Sequence, residues 1–300
     1  MHLQRAMWFS ISCFDPCSLC ILKQYRISEQ VVIRKYANYF YTIPFSIFHT
    51  YMNSLKPIGK LFYGIGIAGI GLLHFMYAGF RPVILPVPAE ATKNISFLVY
   101  VTGAILVLAG LAIAFLQKIK NIAFFFGIFL LLFVIIGHLP NRFMNHPEIL
   151  GMWTDTLKLL ALAGGAFIVS SGNLSNYGKY FFALMLVIFG IDHFVYTDFV
   201  KLLVPAWIPG PLFWTYVAGI ALIGSGVALF INFKPKTISF LLGIMLLIWL
   251  VILHIPRAFA APATDNGNEW TSVFQCLAFS GMAFLLSARS SSPSLVNSAT

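Results

Sequence analysis

The sequence predicts an all-α polytopic membrane protein, with eight transmembrane helices forming two four-helix bundles as parallel repeats. Three observations carry this. Of 300 residues, 59% are hydrophobic and only 9% charged, with a mean hydropathy of +0.87, whereas a soluble domain carries about 25% charged residues. Eight apolar segments approach the ~20 residues that cross a bilayer. The second half of the chain also repeats the first.

The spans are expected at 61–80, 95–116, 121–139, 153–171, 179–197, 213–231, 237–255 and 270–288. NIAFFFGIFLLLFVIIGHL (121–139) and TISFLLGIMLLIWLVILHI (237–255) are the clearest. Each is read as ending before a proline, so no span is taken to be proline-broken. A shift of 119 residues lays GLLHFMYAGF (71–80) on GIDHFVYTDF (190–199) and Pro86 on Pro205. A shift of 116 lays YVTGAILVLAG (100–110) on YVAGIALIGSG (216–226) and GHLPNRF (137–143) on LHIPRAF (253–259), and a shift of 117 lays Trp153 on Trp270. Short loop insertions account for the drift in offset. The chain then divides into an N-terminal extension (1–52), a first repeat (61–172), a cytoplasmic linker (173–178), a second repeat (179–288) and a disordered C-terminal tail (289–300).

Four spans per unit is an even number, so both units enter the membrane in the same direction, as parallel repeats. After Met52, one side carries Lys56, Lys60, Lys118, Lys120, Lys179, Lys234, Lys236 and Arg289. The other carries Arg81, Lys93, Arg142, Lys158, Lys201 and Arg257. The positive-inside rule places the first set, and both termini, in the cytoplasm. The net charge of +10 is therefore a topology signal. No basic block is long enough to track phosphates, so a nucleic-acid partner is not expected.

Residues 1–52 lack a sustained period. Met52, ahead of NSLKPIGKLFYG, is the expected initiator, with the leader a mis-assigned or untidy extension. The leader's Cys13, Cys17 and Cys20 match the C-x3-C-x2-C spacing with which radical-SAM enzymes hold an iron–sulfur cluster. Those enzymes use a large soluble barrel, so the match is set aside. Cys276 sits in an apolar run as a small packing residue. Neither a disulfide framework nor a metal site is expected.

Polar groups inside lipid are costly and mark function or helix locking. Four histidines recur in the repeat: His74 and His193 on the first helix of each unit, His138 and His254 on the third. At 1.5 Å per residue His193 lies ~21 Å along its span and His254 ~26 Å, so both stand toward the outer leaflet. Tyr77 and Tyr196 follow three residues after the first-helix histidines, on the same face. Arg142, Arg257 and Trp207 stand at the same end. Asp192 breaks the repeat, since Leu73 occupies its place in the first unit. The catalytic candidates are His193, Asp192, His254, His74 and His138. The cofactor-binding candidates are Tyr77, Tyr196, Trp207, Arg142 and Arg257.

HFVYTDFVKLLVPAWIPGPLFWTYVAGIALIGSGVAL (193–229) strongly resembles the DoxX-like family of bacterial four-helix membrane proteins. The residues that carry the resemblance are the first-helix histidine, the aromatic-rich stretch with V-P-x-W-I-P, and a second helix opening on Y-x-x-G. Residues 61–172 resemble a diverged copy, with Val87 and Pro88 where Ala206 and Trp207 stand, so the tryptophan is missing. The resemblance implies a bacterial inner-membrane protein. Some such relatives are membrane subunits of a thiosulfate:quinone oxidoreductase and others belong to oxidative-stress complexes.

Three readings remain open at this point. In a redox role, His and Tyr donors hold a quinone while Asp192 helps move its proton, next to a periplasmic or membrane redox partner. In haem ligation, His74/His138 or His193/His254 serve as axial pairs, although their shallow placement fits this poorly. In a non-enzymatic role, the protein is a scaffold or binds a lipid-soluble ligand. Against all three stands simple helix locking, in which each histidine bonds a neighbouring carbonyl for about 0.6 kcal/mol. No G-x-S-x-G, H-E-x-x-H or carboxylate cluster points to hydrolysis.

Overall fold

The computed structural model describes residues 54–172, 174–264 and 267–289. The leader cysteines, Met52 and all but the first residue of the C-terminal tail lie outside them. Among the described residues there is no strand, and eight helices are long and apolar enough to cross a membrane. They are α1 (Ser54–Met76), α2 (Ser96–Phe115), α3 (Lys120–Met144), α4 (Leu150–Ser170), α5 (Leu174–Val195), α6 (Pro211–Phe230), α7 (Pro235–Ala260) and α8 (Asn268–Ser287). In lipid every backbone polar group must be satisfied within its own segment, and helices achieve this. The chain is an integral, multi-pass membrane protein.

Lipid gives helices no hydrophobic reason to associate, so close packing through small residues supplies it. A methyl group at Gly110 of α2 would stand 2.5 Å from the Gly64 carbonyl of α1, and one at Gly226 of α6 would stand 2.7 Å from the Ala183 carbonyl of α5. Gly164 of α4 meets the Gly178 carbonyl of α5, and Gly281 of α8 meets the Gly59 carbonyl of α1, each at 2.7 Å from the same imagined methyl. Tyr63 donates from α1 to the Leu162 carbonyl of α4 at 2.6 Å, and Phe182 of α5 stacks on Phe279 of α8. Helices α1, α4, α5 and α8 therefore form the middle of the molecule. Helices α2 and α6 lie on α1 and α5, and α3 and α7 lie on α4 and α8. The two sequence halves meet along α1–α8 and α4–α5.

Helices α3 and α7 correct one expectation. Both continue through Pro140 and Pro256, reaching Met144 and Ala260. A proline inside a helix removes one bond and crowds the carbonyl four residues back. Here the preceding turn widens instead of ending the helix. Phe133–His138 and Leu250–His254 are π-helical, with the Leu139 N–H bonding Val134 O and the Ile255 N–H bonding Leu250 O, five residues back. Each wide turn ends on a repeated histidine. Single π turns inside α-helices often accompany functional sites. These lie near one membrane face, since His138 stands ~27 Å along α3.

The opposite end is held by basic side chains. Lys60 donates to the Leu116 carbonyl at 2.8 Å, and Lys179 to Asn232 Oδ1 at 3.1 Å. Each lysine thereby ties the start of α1 or α5 to the chain at the end of α2 or α6.

Overpacking a close glycine contact costs roughly 1–3 kcal/mol. Gly281→Leu is expected to lower the thermal midpoint of the detergent-solubilised protein. Gly224→Leu should leave it unchanged, because a methyl there meets nothing within 4 Å. Equal midpoints for the two variants would contradict the packing described.

Candidate functional site

The first-helix histidines are committed to their own helices. His74 Nδ1 lies 2.9 Å from the Ile70 carbonyl, and His193 Nδ1 lies 2.7 Å from that of Phe189. A carbonyl only accepts, so Nδ1 carries the hydrogen and Nε2 keeps its lone pair in the neutral ring. Phe80 packs edge-on against the His74 ring, and the His74 Nε2 is buried without a hydrogen-bond partner among the described residues.

The π-turn histidines face neighbouring helices. His138 is fully buried, with Nδ1 3.2 Å from Thr156 Oγ1 of α4. The carbonyls of Val83 and Ile84, in the connection after α1, lie beside its ring. His254 has Arg257, Glu269 and Lys158 as electrostatic neighbours.

Between these rings lies a set of charges contributed by five helices. Lys158 of α4 donates to Asp155 Oδ1 at 3.1 Å and lies 5.6 Å over the Phe189 ring of α5. It also faces Asp192 of α5 and His254 of α7 electrostatically. Asp155 in turn faces His138 and Arg142 of α3. Arg257 of α7 holds Glu269 of α8 through both carboxylate oxygens, the bidentate geometry that guanidinium and carboxylate share. Arg142, Lys158 and Arg257 thus stand against Asp155, Asp192 and Glu269, three cations to three anions. Arg81, 1% exposed and facing His74, adds a fourth cation at this end, so the balance holds within the Lys158 set and not for every charge there.

Asp192 is the incomplete member. It is 8% exposed, and neither carboxylate oxygen has a hydrogen-bond partner among the described residues. Its sequence neighbour does not help it. Adjacent helical residues point about 100° apart, so Asp192 turns toward α4 while His193 bonds its own helix. Lys158 is therefore the group that links Asp192 with His254.

The remaining sequence candidates divide. Tyr77 Oη donates to the Pro262 carbonyl at 2.8 Å with its ring against Gly267, and Tyr196 Oη accepts from the Gly151 N–H at 2.9 Å. Each tyrosine thus clasps the other half of the chain. Arg142 and Arg257 belong to the charged set. Trp207 is exposed and stands apart from it. Asp155, Thr156, Lys158 and Glu269 were absent from the sequence candidates. Lys158 was counted there only among the charges of the outer side, although D-x-x-K at the head of an apolar run places both groups on one helix face. Open surface grooves lie toward the lysine-rich end among the described residues. One, of about 400 Å³, lies between α2 and α3 and is lined by Ile105, Phe125 and Phe129. The other, of about 320 Å³, lies by Lys120 and Ser171.

Lys158 and Asp155 are half-buried, with side chains 21% and 33% exposed, so removing one partner costs about 1 kcal/mol rather than the larger loss of a fully buried pair. Lys158→Met should therefore destabilise the protein measurably in detergent unfolding. Adding Asp155→Asn should restore part of that loss, because it removes one of the stranded anions. A Lys158→Met variant as stable as the parent would show that the lysine is not engaged as described.

Comparison with protein-family models, with curated proteins and with solved structures finds no match to this chain.

Proposed function

We propose that this is a DoxX-like protein of the bacterial inner membrane, with both termini cytoplasmic, acting as a quinone-associated membrane subunit of a redox complex. The observation that supports it best is Asp192, a carboxylate with two unbonded oxygens inside a membrane bundle, facing Lys158. Intramembrane ionisable groups mark proton and ligand paths. Lys158 Nζ has three donors, and the bond to Asp155 uses one. The others, with His254, suit the carbonyl oxygens of a quinone head group. In this reading Asp192 exchanges the proton that accompanies quinone reduction or oxidation, as a general acid–base group must do within hydrogen-bond reach or through one water. The resemblance of residues 193–229 to DoxX-like proteins supports the same reading, as does the basic composition of the opposite end for orientation.

A second reading has its own support. His74, His193, Tyr77 and Tyr196 each use a hydrogen-bonding atom on the protein's own backbone. That is what a non-enzymatic scaffold, or a binder of a lipid-soluble ligand, requires.

Purification in detergent, followed by quinone extraction and identification of co-purifying subunits, separates the two. The redox reading predicts bound quinone that falls by about tenfold, or ~1.4 kcal/mol of binding, in Asp192→Asn while the fold is retained. Absence of both quinone and a redox partner from the parent protein would leave the scaffold reading in its place.

A further inference from the structure

We propose that the ligand of this protein binds in the second half alone, against His193, Asp192 and His254, with the connection at 197–210 as the rim of its entrance. The corresponding place in the first half is a closed structural copy. The proposal rests on the quinone reading above and adds where the head group sits.

Three differences between matched positions point the same way. The first lies in the connections that follow α1 and α5. After α1, Phe80 is 7% and Val83 1% exposed, and this stretch lies over His74 and His138, both fully buried. After α5, the matched Phe199 and Leu202 are 64% and 74% exposed, and Trp207 is 71% exposed. His193 and His254 are only partly covered. The same segment of the repeat therefore folds inward as a plug in one half and turns outward in the other.

The second difference is chemical. Leu73, buried and apolar, stands where Asp192 stands. The first helix of the closed half thus carries no carboxylate beside its histidine, and the Asp155 that faces His138 from α4 is already bonded to Lys158, whereas Asp192 is not hydrogen-bonded among the described residues. The third is which cation faces the carboxylate: Arg81 and Arg142 stand beside the first-half histidines, and Lys158 beside Asp192. Lys158 belongs to α4 of the first half in sequence, yet its electrostatic partners beyond Asp155 are Asp192 and His254 of the second. Gln275, neutral, occupies the position matched to Lys158 at a shift of 117. Donor and acceptor therefore coincide in the half whose connection turns outward, with the Asp192 oxygens themselves still covered.

The outward apolar side chains also suit the ligand class. Phe199 and Leu202 lie exposed in the connection that follows the Asp192 helix, at the level of a membrane face, where aromatic and aliphatic groups meet lipid. A ligand entering from the bilayer brings an apolar tail to this rim and a flat head group with hydrogen-bonding oxygens to Lys158 and Asp192. The first half, with Phe80 and Val83 packed inward, offers no such approach.

Photolabelling of the parent protein in phosphatidylethanolamine/phosphatidylglycerol nanodiscs tests this directly, using an azido-quinone probe and peptide mapping by mass spectrometry. The label displaced by unlabelled decylubiquinone should fall on peptides covering 190–214 and 250–260. It should exceed that on 71–94 by at least about tenfold, equivalent to ~1.4 kcal/mol of preference. His193→Gln should reduce the displaceable label, and His74→Gln should not. Equal displaceable label in the two halves, or an excess in the first, would overturn the asymmetry while leaving the quinone reading intact. No displaceable label anywhere would overturn both.

Discussion

Ionised groups inside a membrane bundle are costly unless opposite charges stand near them, because solvent screens them poorly there. The arrangement around Lys158 follows from that constraint. Its ammonium lies between Asp155 on its own helix and Asp192 on α5, with His254 of α7 beside it. Arg142 adds the cation that faces Asp155, and Arg257 with Glu269 forms a pair complete in itself. Helices α3, α4, α5, α7 and α8 are thereby committed to one relative placement at this end. A displacement of any one of them would leave a charge unmatched.

Bringing those helices close enough is the work of small residues. Gly164 and Gly178 let α4 and α5 touch backbone to backbone, and this contact brings Lys158 and Asp192 to the same interface about two to four turns further along. The π turns make the complementary adjustment in α3 and α7. They absorb Pro140 and Pro256 without ending the helix, and each delivers a histidine at its last position. Backbone geometry and charge placement therefore serve one another. The tyrosine clasps at Gly151 and Pro262 then tie the halves together at the same level.

Much of this was legible in the sequence, for physical reasons. The spans could be read because lipid demands long apolar runs, and all eight helices fall where those runs stand. Proline misled at two boundaries: Pro140 and Pro256 look like stops, but a widened turn accommodates each ring. The repeated histidines were recognisable as a set, yet their commitments were not. Nothing in GLLHFMY or GIDHFVY shows that the imidazole bonds the carbonyl four residues back. Lys158 was misjudged because a lysine near the head of a span usually reaches the interface. Asp155, three residues earlier, holds it inside instead. The unequal packing of 80–88 and 199–207 was invisible, because the matched residues are similarly apolar and differ only in what they pack against.

The account depends most on the electrostatic coupling of Lys158 to Asp192 across the α4–α5 interface, and a charge exchange tests it most directly. Lys158→Asp and Asp192→Lys, made singly, each leave like charges facing one another inside the bundle. Made together, they restore the balance with its sign reversed. Thermal unfolding in detergent should show two destabilised single variants and a double variant that recovers at least ~1 kcal/mol relative to the sum of the two, within the range found for groups in one network. A double variant as destabilised as that sum would mean the two residues do not sense one another, and the central arrangement would be wrong.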